Sequence, residues 1–219
     1  MNHSSHNREA VVLLHGLWMP SAVMSRLGQH LARLSSDRQV HLFGYPSLRT
    51  DLDGNIQSLF EFVESIDAET VHLVGHSLGG LLILKMLNSQ PPSRVGRVVC
   101  LGSPLRGSRA GERLQTLPGG KVVAGKSLAQ ALDKALPDWK GEWAVGVIAG
   151  SMGVGLGRLV DQLEVPNDGT VSVTETRLPG ISDHLVLPLN HSGLVFSPEV
   201  ARQTDYFLSH GSFQRDQQR

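Results

Sequence analysis

A single cysteine, Cys100, in 219 residues excludes an internal disulfide, and its place in the apolar run Val98-Val99-Cys100-Leu101 marks it as a small core residue. An excess of charge is also missing. Twenty Lys and Arg balance twenty Asp and Glu, so no basic surface points to nucleic acid or an anionic membrane as a partner. No apolar run is long enough to span a bilayer. Residues Met1 to Glu9 are polar and lack the apolar stretch of a secretory leader, which gives a soluble, cytoplasmic chain as the expectation. Repeats, linker composition and metal-ligand spacing are absent too; His72 and His76 straddle a strand-to-turn junction rather than one helix face. What is left is one domain over residues 1–219, long enough to bury a sizeable core, with polar tails at 1–9 and 210–219.

What is present is alternation. Short apolar runs alternate with helical periodicity, which predicts an α/β fold with a mostly parallel sheet of about six strands and helices on both faces. Strands are expected at Ala10 to His15, Gln39 to Gly44, Thr70 to Val74, Arg97 to Leu101, Trp143 to Ala149 and His184 to Leu189. Helices are expected at Ser21 to Leu34, through Val23, Leu27, Leu31 and Leu34, at Leu52 to Ile66, and from Gly80 to Leu87. A last helix opens at Ser197-Pro198-Glu199. Between Ser103 and Gly141 the pattern loosens into a small insertion, in which Leu128, Leu132 and Leu136 suggest one amphipathic helix.

Gly75-His76-Ser77-Leu78-Gly79 lies between a β-branched run and a long apolar run, the strand–turn–helix context of a nucleophile elbow. The glycines make room for a turn that holds the Ser77 backbone in a strained conformation, its hydroxyl raised above the sheet edge. A serine there needs a base, an acid to orient that base, and donors for an oxyanion. With the chain order serine, acid, histidine, seven of the ten histidines drop out, leaving His184, His191 and His210. His191 is preferred because it follows a strand's carboxyl end, where open α/β sheets bind ligands. His184 lies inside a strand and His210 in the polar tail. Candidate acids include Asp133, Asp138, Asp161, Asp168 and Asp183; Asp168, in the turn cluster Pro166-Asn167-Asp168-Gly169, is preferred, with Asp183 as the alternative. The expected oxyanion donors are the backbone N–H groups of Leu78 and of Leu17, in the first loop His15-Gly16-Leu17-Trp18, where Gly16 lets the backbone approach a substrate.

Together, His15-Gly16, Gly75 to Gly80, Asn167-Asp168-Gly169 and His191 resemble the small bacterial serine esterases and lipases of the α/β-hydrolase fold. The segment Gly102-Ser103-Pro104-Leu105-Arg106-Gly107-Ser108 resembles the one that follows the fourth strand in many lipases. The resemblance runs from Ala10 to about Leu208. It implies a minimal α/β-hydrolase fold lacking the N-terminal strands of larger members. It also implies hydrolysis of a small-molecule or lipid carboxylic ester through an acyl-enzyme, with no cofactor. Ser77 would be the nucleophile, His191 the base and then the acid, and Asp168 its orienting partner. The insertion is too short for a large cap domain, which favours small or medium acyl chains. A thioesterase or amidase would use the same residues, and a non-catalytic binding protein on this fold is the other alternative.

One motif competes. Gly120-Lys121-Val122-Val123-Ala124-Gly125-Lys126-Ser127 matches the phosphate-binding pattern G-x-x-x-x-G-K-[ST]. The segment before it is polar rather than a buried strand, so nucleotide binding is not expected. Gly146, Gly150, Gly153, Gly155 and Gly157 lack the spacing of a dinucleotide loop and read as a flexible connection, with Met152, Val154 and Leu156 available to flank an acyl pocket.

Overall fold

The computed structural model describes residues 8–133, 136, 141–153 and 163–215. Ala10 to Leu14 are fully buried, as expected for a strand covered on both faces, and they form β1 (Glu9–Leu14). The other strands are β2 (Arg38–Phe43), β3 (Thr70–His76), β4 (Val95–Leu101), β5 (Val145–Gly150) and β6 (Asp183–Leu187). They make one sheet in the order β2-β1-β3-β4-β5-β6, every neighbouring pair parallel. The chain leaves β1 for β2 on one side and returns to β3 on the other, so strand order reverses beside β1, and the carboxyl ends of β1 and β3 are where open α/β sheets place their ligand crevice.

Alternate residues of each strand face opposite layers. Val12, Leu14, Leu73, Cys100 and Val147 pack with α2 (Leu52–Ser65), α3 (Leu78–Ser89) and α5 (Gly120–Asp133). Val11, Leu13, Val74, Val99, Leu101 and Ile148 pack with α1 (Ser25–Leu34) and α6 (Pro198–His210). Burial pushes the Cys100 thiol up to about 12, in keeping with its packing role. Asp51 and Ser197 cap α2 and α6 by accepting from the N–H groups of Gly54 and Val200.

Two helical expectations need correction. The helix expected over Ser21 to Leu34 is a 3₁₀ turn at Ser21–Met24 followed by α1, and Leu34 is 50% exposed. The close approach to the sheet is at Gly28, where a Cβ would lie 3.1 Å from Val40 and 3.3 Å from Leu13, so the buried face is Met24, Leu27, Gly28 and Leu31. The insertion holds a second helix, α4 (Arg109–Thr116), and α5 is itself broken by a kink at Gly125 (φ 72°, ψ 169°). Capped by Ser108, α4 fully buries only Gly111, so it leaves no apolar periodicity in the sequence. Of the leucines expected on one helix, Leu128 is buried on α5, Leu136 is buried but lies beyond the end of α5 at Asp133, and the side chain of Leu132 lies outside the described set. Among the described residues no helix is long and apolar enough to cross a membrane.

Candidate active site

β3 ends at His76 and α3 begins at Leu78, so the reversal falls on Ser77 alone, at φ 53° and ψ −120°. A non-glycine residue at positive φ costs on the order of 1–3 kcal/mol. Ser77 is held there by its N–H donating to the Leu101 carbonyl (2.8 Å) and its own carbonyl accepting from Gly80 N–H (3.1 Å). Any Cβ at Gly75 would lie 2.4 Å from the Gly80 nitrogen, and one at Gly79 2.7 Å from the His15 carbonyl oxygen. The motif glycines are therefore steric requirements. Leu78 is the first residue of α3, so its N–H has no intrahelical acceptor and lies at the positive end of the helix dipole.

The first loop presses against this turn. A Cβ at Gly16 would be 3.1 Å from Ser77 Cβ and 3.0 Å from His76 Nδ1. His15 anchors the loop: Nδ1–H donates to the Gly16 carbonyl (2.7 Å) and Nε2 accepts from Tyr45 N–H (3.3 Å). Its ring stacks on Tyr45 at 4.4 Å, and the Tyr45 hydroxyl donates to the His15 carbonyl (2.8 Å). Burial lowers the His15 pKa, which suits this neutral, fully engaged ring, and raises that of Tyr45. Leu17 is half-buried, packed on the core, whereas Trp18, at φ 61°, is 47% exposed.

Asp168 lies in the β5–β6 connection with its carboxylate buried, not on a solvated turn. Its Oδ1 accepts from the N–H groups of Thr170 (2.9 Å) and Val171 (2.7 Å), so the Asn167-Asp168-Gly169 turn itself aims Oδ2 outward. Oδ2 accepts from His191 Nδ1 at 2.7 Å, and a second bond runs from His191 N–H to the Asp168 carbonyl (2.9 Å). His191 follows β6 and immediately precedes a 3₁₀ turn at Ser192–Val195; its side chain is 14% exposed, against 1% for Asp168. Gly102, after β4 at φ 56°, lines this pair: a Cβ there would be 3.1 Å from both Asp168 Oδ2 and His191 Nδ1.

His76 joins the two halves of the site. Its Nε2–H donates to the His191 carbonyl (3.1 Å), and the two rings pack at 4.7 Å and 47°. Burial, reinforced by neighbouring His191, takes the His76 pKa down to about 3. Nothing in the sequence pattern marks the contacts of His76 or Tyr45, because each meets a partner distant in the chain, whereas Gly102 opens the segment that resembles the one after the fourth strand in lipases. The motif did place His76 beside Ser77, and that adjacency was the one usable signal.

The alternatives are occupied elsewhere. His184 Nε2 is bonded to Thr176 Oγ1 (2.9 Å), and burial takes its pKa down to about 4. Asp183, at the amino end of β6, accepts from Phe213 N–H and Arg215. His210 lies at the end of α6, stacked on Tyr206. Asp138 and Asp161, and the Asp133 side chain, lie outside the described residues, as do Val154, Gly155, Leu156 and Gly157. Met152, just before them, is 46% exposed. The phosphate-loop look-alike follows α4 instead of a strand. Its Ser127 hydroxyl donates to the Thr50 carbonyl and accepts from Asn55 Nδ2, both at 2.7 Å, which ties it into the helical layer. Among the described residues no group of three or more His, Cys, Asp or Glu is arranged to hold a metal ion.

A model of the alpha/beta hydrolase family matches residues 11–201. No curated protein matches the chain by sequence. Among solved structures, the mature lipase BlEst2 of Bacillus licheniformis superposes with a TM-score of 0.69 at 16% identity, over 96% of this chain and 95% of that one. The metagenomic carboxyl esterase MGS0156 gives 0.71 at 17%, over 94% and 76%. A pyrethroid hydrolase from Sphingobium faniae JZ-2 gives 0.61 at 15%, over 92% and 98%. At these identities the likeness is one of fold.

Proposed function

Because the chain belongs to the alpha/beta hydrolase family, we propose that it is a serine carboxylesterase in which Ser77, His191 and Asp168 carry the chemistry. The observation that carries this reading is the 2.7 Å bond between Asp168 Oδ2 and His191 Nδ1, made by a buried carboxylate to a ring packed against the residue that precedes Ser77. With Nδ1 donating to Asp168, the remaining nitrogen, Nε2, is the one free to take a proton.

The reaction follows from these roles. Ser77 Oγ attacks the ester carbonyl carbon as its proton passes to His191 Nε2, and the negative charge collects on the former carbonyl oxygen. The N–H groups of Leu78 and Leu17 are assigned to that oxyanion, the first favoured by the start of α3. Collapse expels the alcohol, which takes the proton from His191 and leaves an acyl group on Ser77. Water, deprotonated by His191, attacks the acyl carbon; the carboxylic acid departs and the proton returns to Ser77. Asp168 holds the tautomer and stabilises the imidazolium in both halves.

An apolar ester suits the exposed Trp18 and Phe196, on the loops after β1 and β6. Small or medium acyl chains suit an insertion whose α5 contributes Leu128 and Ala131 to the core beside α2 and α3. The test is covalent labelling by a fluorophosphonate together with hydrolysis of p-nitrophenyl acetate and butyrate. Wild type should label and turn over both esters, and Ser77→Ala should do neither. A wild-type protein that resists the probe and leaves both esters intact sinks the proposal.

A further inference from the structure

We propose that His76 is a positioning residue that sets the distance between base and nucleophile, by tying the His191 backbone to the strand end that carries Ser77. The inference rests on the roles proposed above for Ser77 and His191. Among the described residues three hydrogen bonds hold His191: Nδ1–H to Asp168 Oδ2, backbone N–H to the Asp168 carbonyl, and its own carbonyl to His76 Nε2–H. The first two run to the β5–β6 connection and fix the ring's tautomer and tilt. Neither touches β3, so neither determines how far the Asp168–His191 unit stands from Ser77. Only the third reaches the elbow, from the residue covalently joined to the nucleophile.

The chemistry of His76 suits a neutral tether. The His191 carbonyl can only accept, so the single ring proton of His76 is on Nε2. Nδ1 is then a bare acceptor; it is buried without a partner beside Gly16. Burial disfavours the charged ring, and a second positive charge 4.7 Å from the His191 imidazolium would oppose proton transfer. A lysine or arginine donor here would carry that penalty permanently.

Two side chains separate tethering from mere space filling. His76→Phe keeps a buried ring and removes the donor; His76→Gln removes the ring but keeps an N–H at the reach of Nε2. His76→Asn, whose N–H falls at the shorter reach of Nδ1, should behave like the phenylalanine variant and serves if that one does not fold. Kinetics on p-nitrophenyl butyrate are taken on protein shown folded by circular dichroism. A misplacement of about 1 Å costs on the order of 10²-fold, so kcat should fall roughly 10- to 100-fold in the Phe and Asn variants with KM within about twofold. The Gln variant should stay within about fivefold of wild type. Wild-type kcat in a folded His76→Phe, or a Gln variant as slow as Asn, overturns the proposal. Fluorophosphonate labelling of Ser77 in the wild type separates the two levels. With labelling present, a wrong order among the variants defeats only the tether; without it, the esterase reading fails and the tether with it.

Discussion

The two ends of the sheet each carry a histidine next to a carboxylate, and the contrast between them separates a cluster closed off from solvent around an arginine from one whose histidine reaches solvent. At the amino end, His72 Nε2 stands 3.4 Å from Glu9 Oε2 without hydrogen bonding to it, while Nδ1 accepts from Arg97 N–H. Arg38, its side chain 6% exposed, holds Glu9 through Nε and Nη2 and Asp205 through Nη1. Burial, then the Arg38 charge, take the His72 pKa down to about 4 against the pull of Glu9. At the carboxyl end, among the described residues, no lysine or arginine pairs with Asp168. Its charge is shared between two backbone N–H groups and His191 at 2.7 Å, and the His191 ring reaches solvent. Burial and the Arg38 charge together hold His72 neutral despite Glu9, whereas Asp168 meets His191 with no lysine or arginine beside it among the described residues; on the proposed esterase reading, that leaves Asp168 to stabilise an imidazolium.

The sharpest way to break this contrast is Asp168→Asn. The amide can still accept from Thr170 and Val171 but offers an NH₂ to Nδ1, which forces the wrong tautomer. Esterase kcat/KM should fall by about 10³- to 10⁴-fold while the thermal midpoint barely moves; near-normal turnover would put Asp168 in the same structural class as Glu9. Arg38→Met is the converse. It strands Glu9 and Asp205 beside each other and should lower the free energy of unfolding by about 3 kcal/mol in urea titrations, with kcat of the folded protein unchanged. An altered kcat would mean that the two ends are coupled.

Acid should expose His72 next. Its folded pKa, about 4, lies below the unfolded value near 6.5, so between these values the unfolded chain binds the extra proton. Stability is therefore full above about pH 6.5 and is lost as pH falls toward 4, with His76 and His184 adding to the slope. His72→Asn, which can keep an acceptor for Arg97, should reduce the loss between pH 7 and pH 5 by about 2 kcal/mol. An unchanged difference between the two pH values would show that His72 does not contribute. The smallest effect belongs to Tyr45→Phe, which frees the His15 carbonyl and should cost about 1 kcal/mol of stability and a few-fold in kcat. No change in either would remove Tyr45 from the support of the first loop.

Legibility in the sequence followed the range of the forces. β1, β3, β4 and β5 were readable because central parallel strands are apolar on both faces and so form continuous runs. α4 was not, because it fully buries only Gly111 and its start depends on the Ser108 cap. The elbow was readable because its constraint is local: Gly75 meets the backbone five residues on. Nothing local marks the contacts of His76 and Tyr45, because their partners lie 115 and 30 residues away.

By itself, then, the sequence determined the sheet's central strands, the turn at Ser77 and a short set of histidines and aspartates able to serve it. Steric exclusion and apolar periodicity act between neighbours in the chain, so they are written there. The tertiary structure alone decided that Asp168 meets His191, that Asp183 is taken by Arg215, and that His76 spans from the elbow to the His191 backbone. A hydrogen bond needs its partners within about 3 Å, and residues this far apart in the chain reach that distance only through tertiary packing.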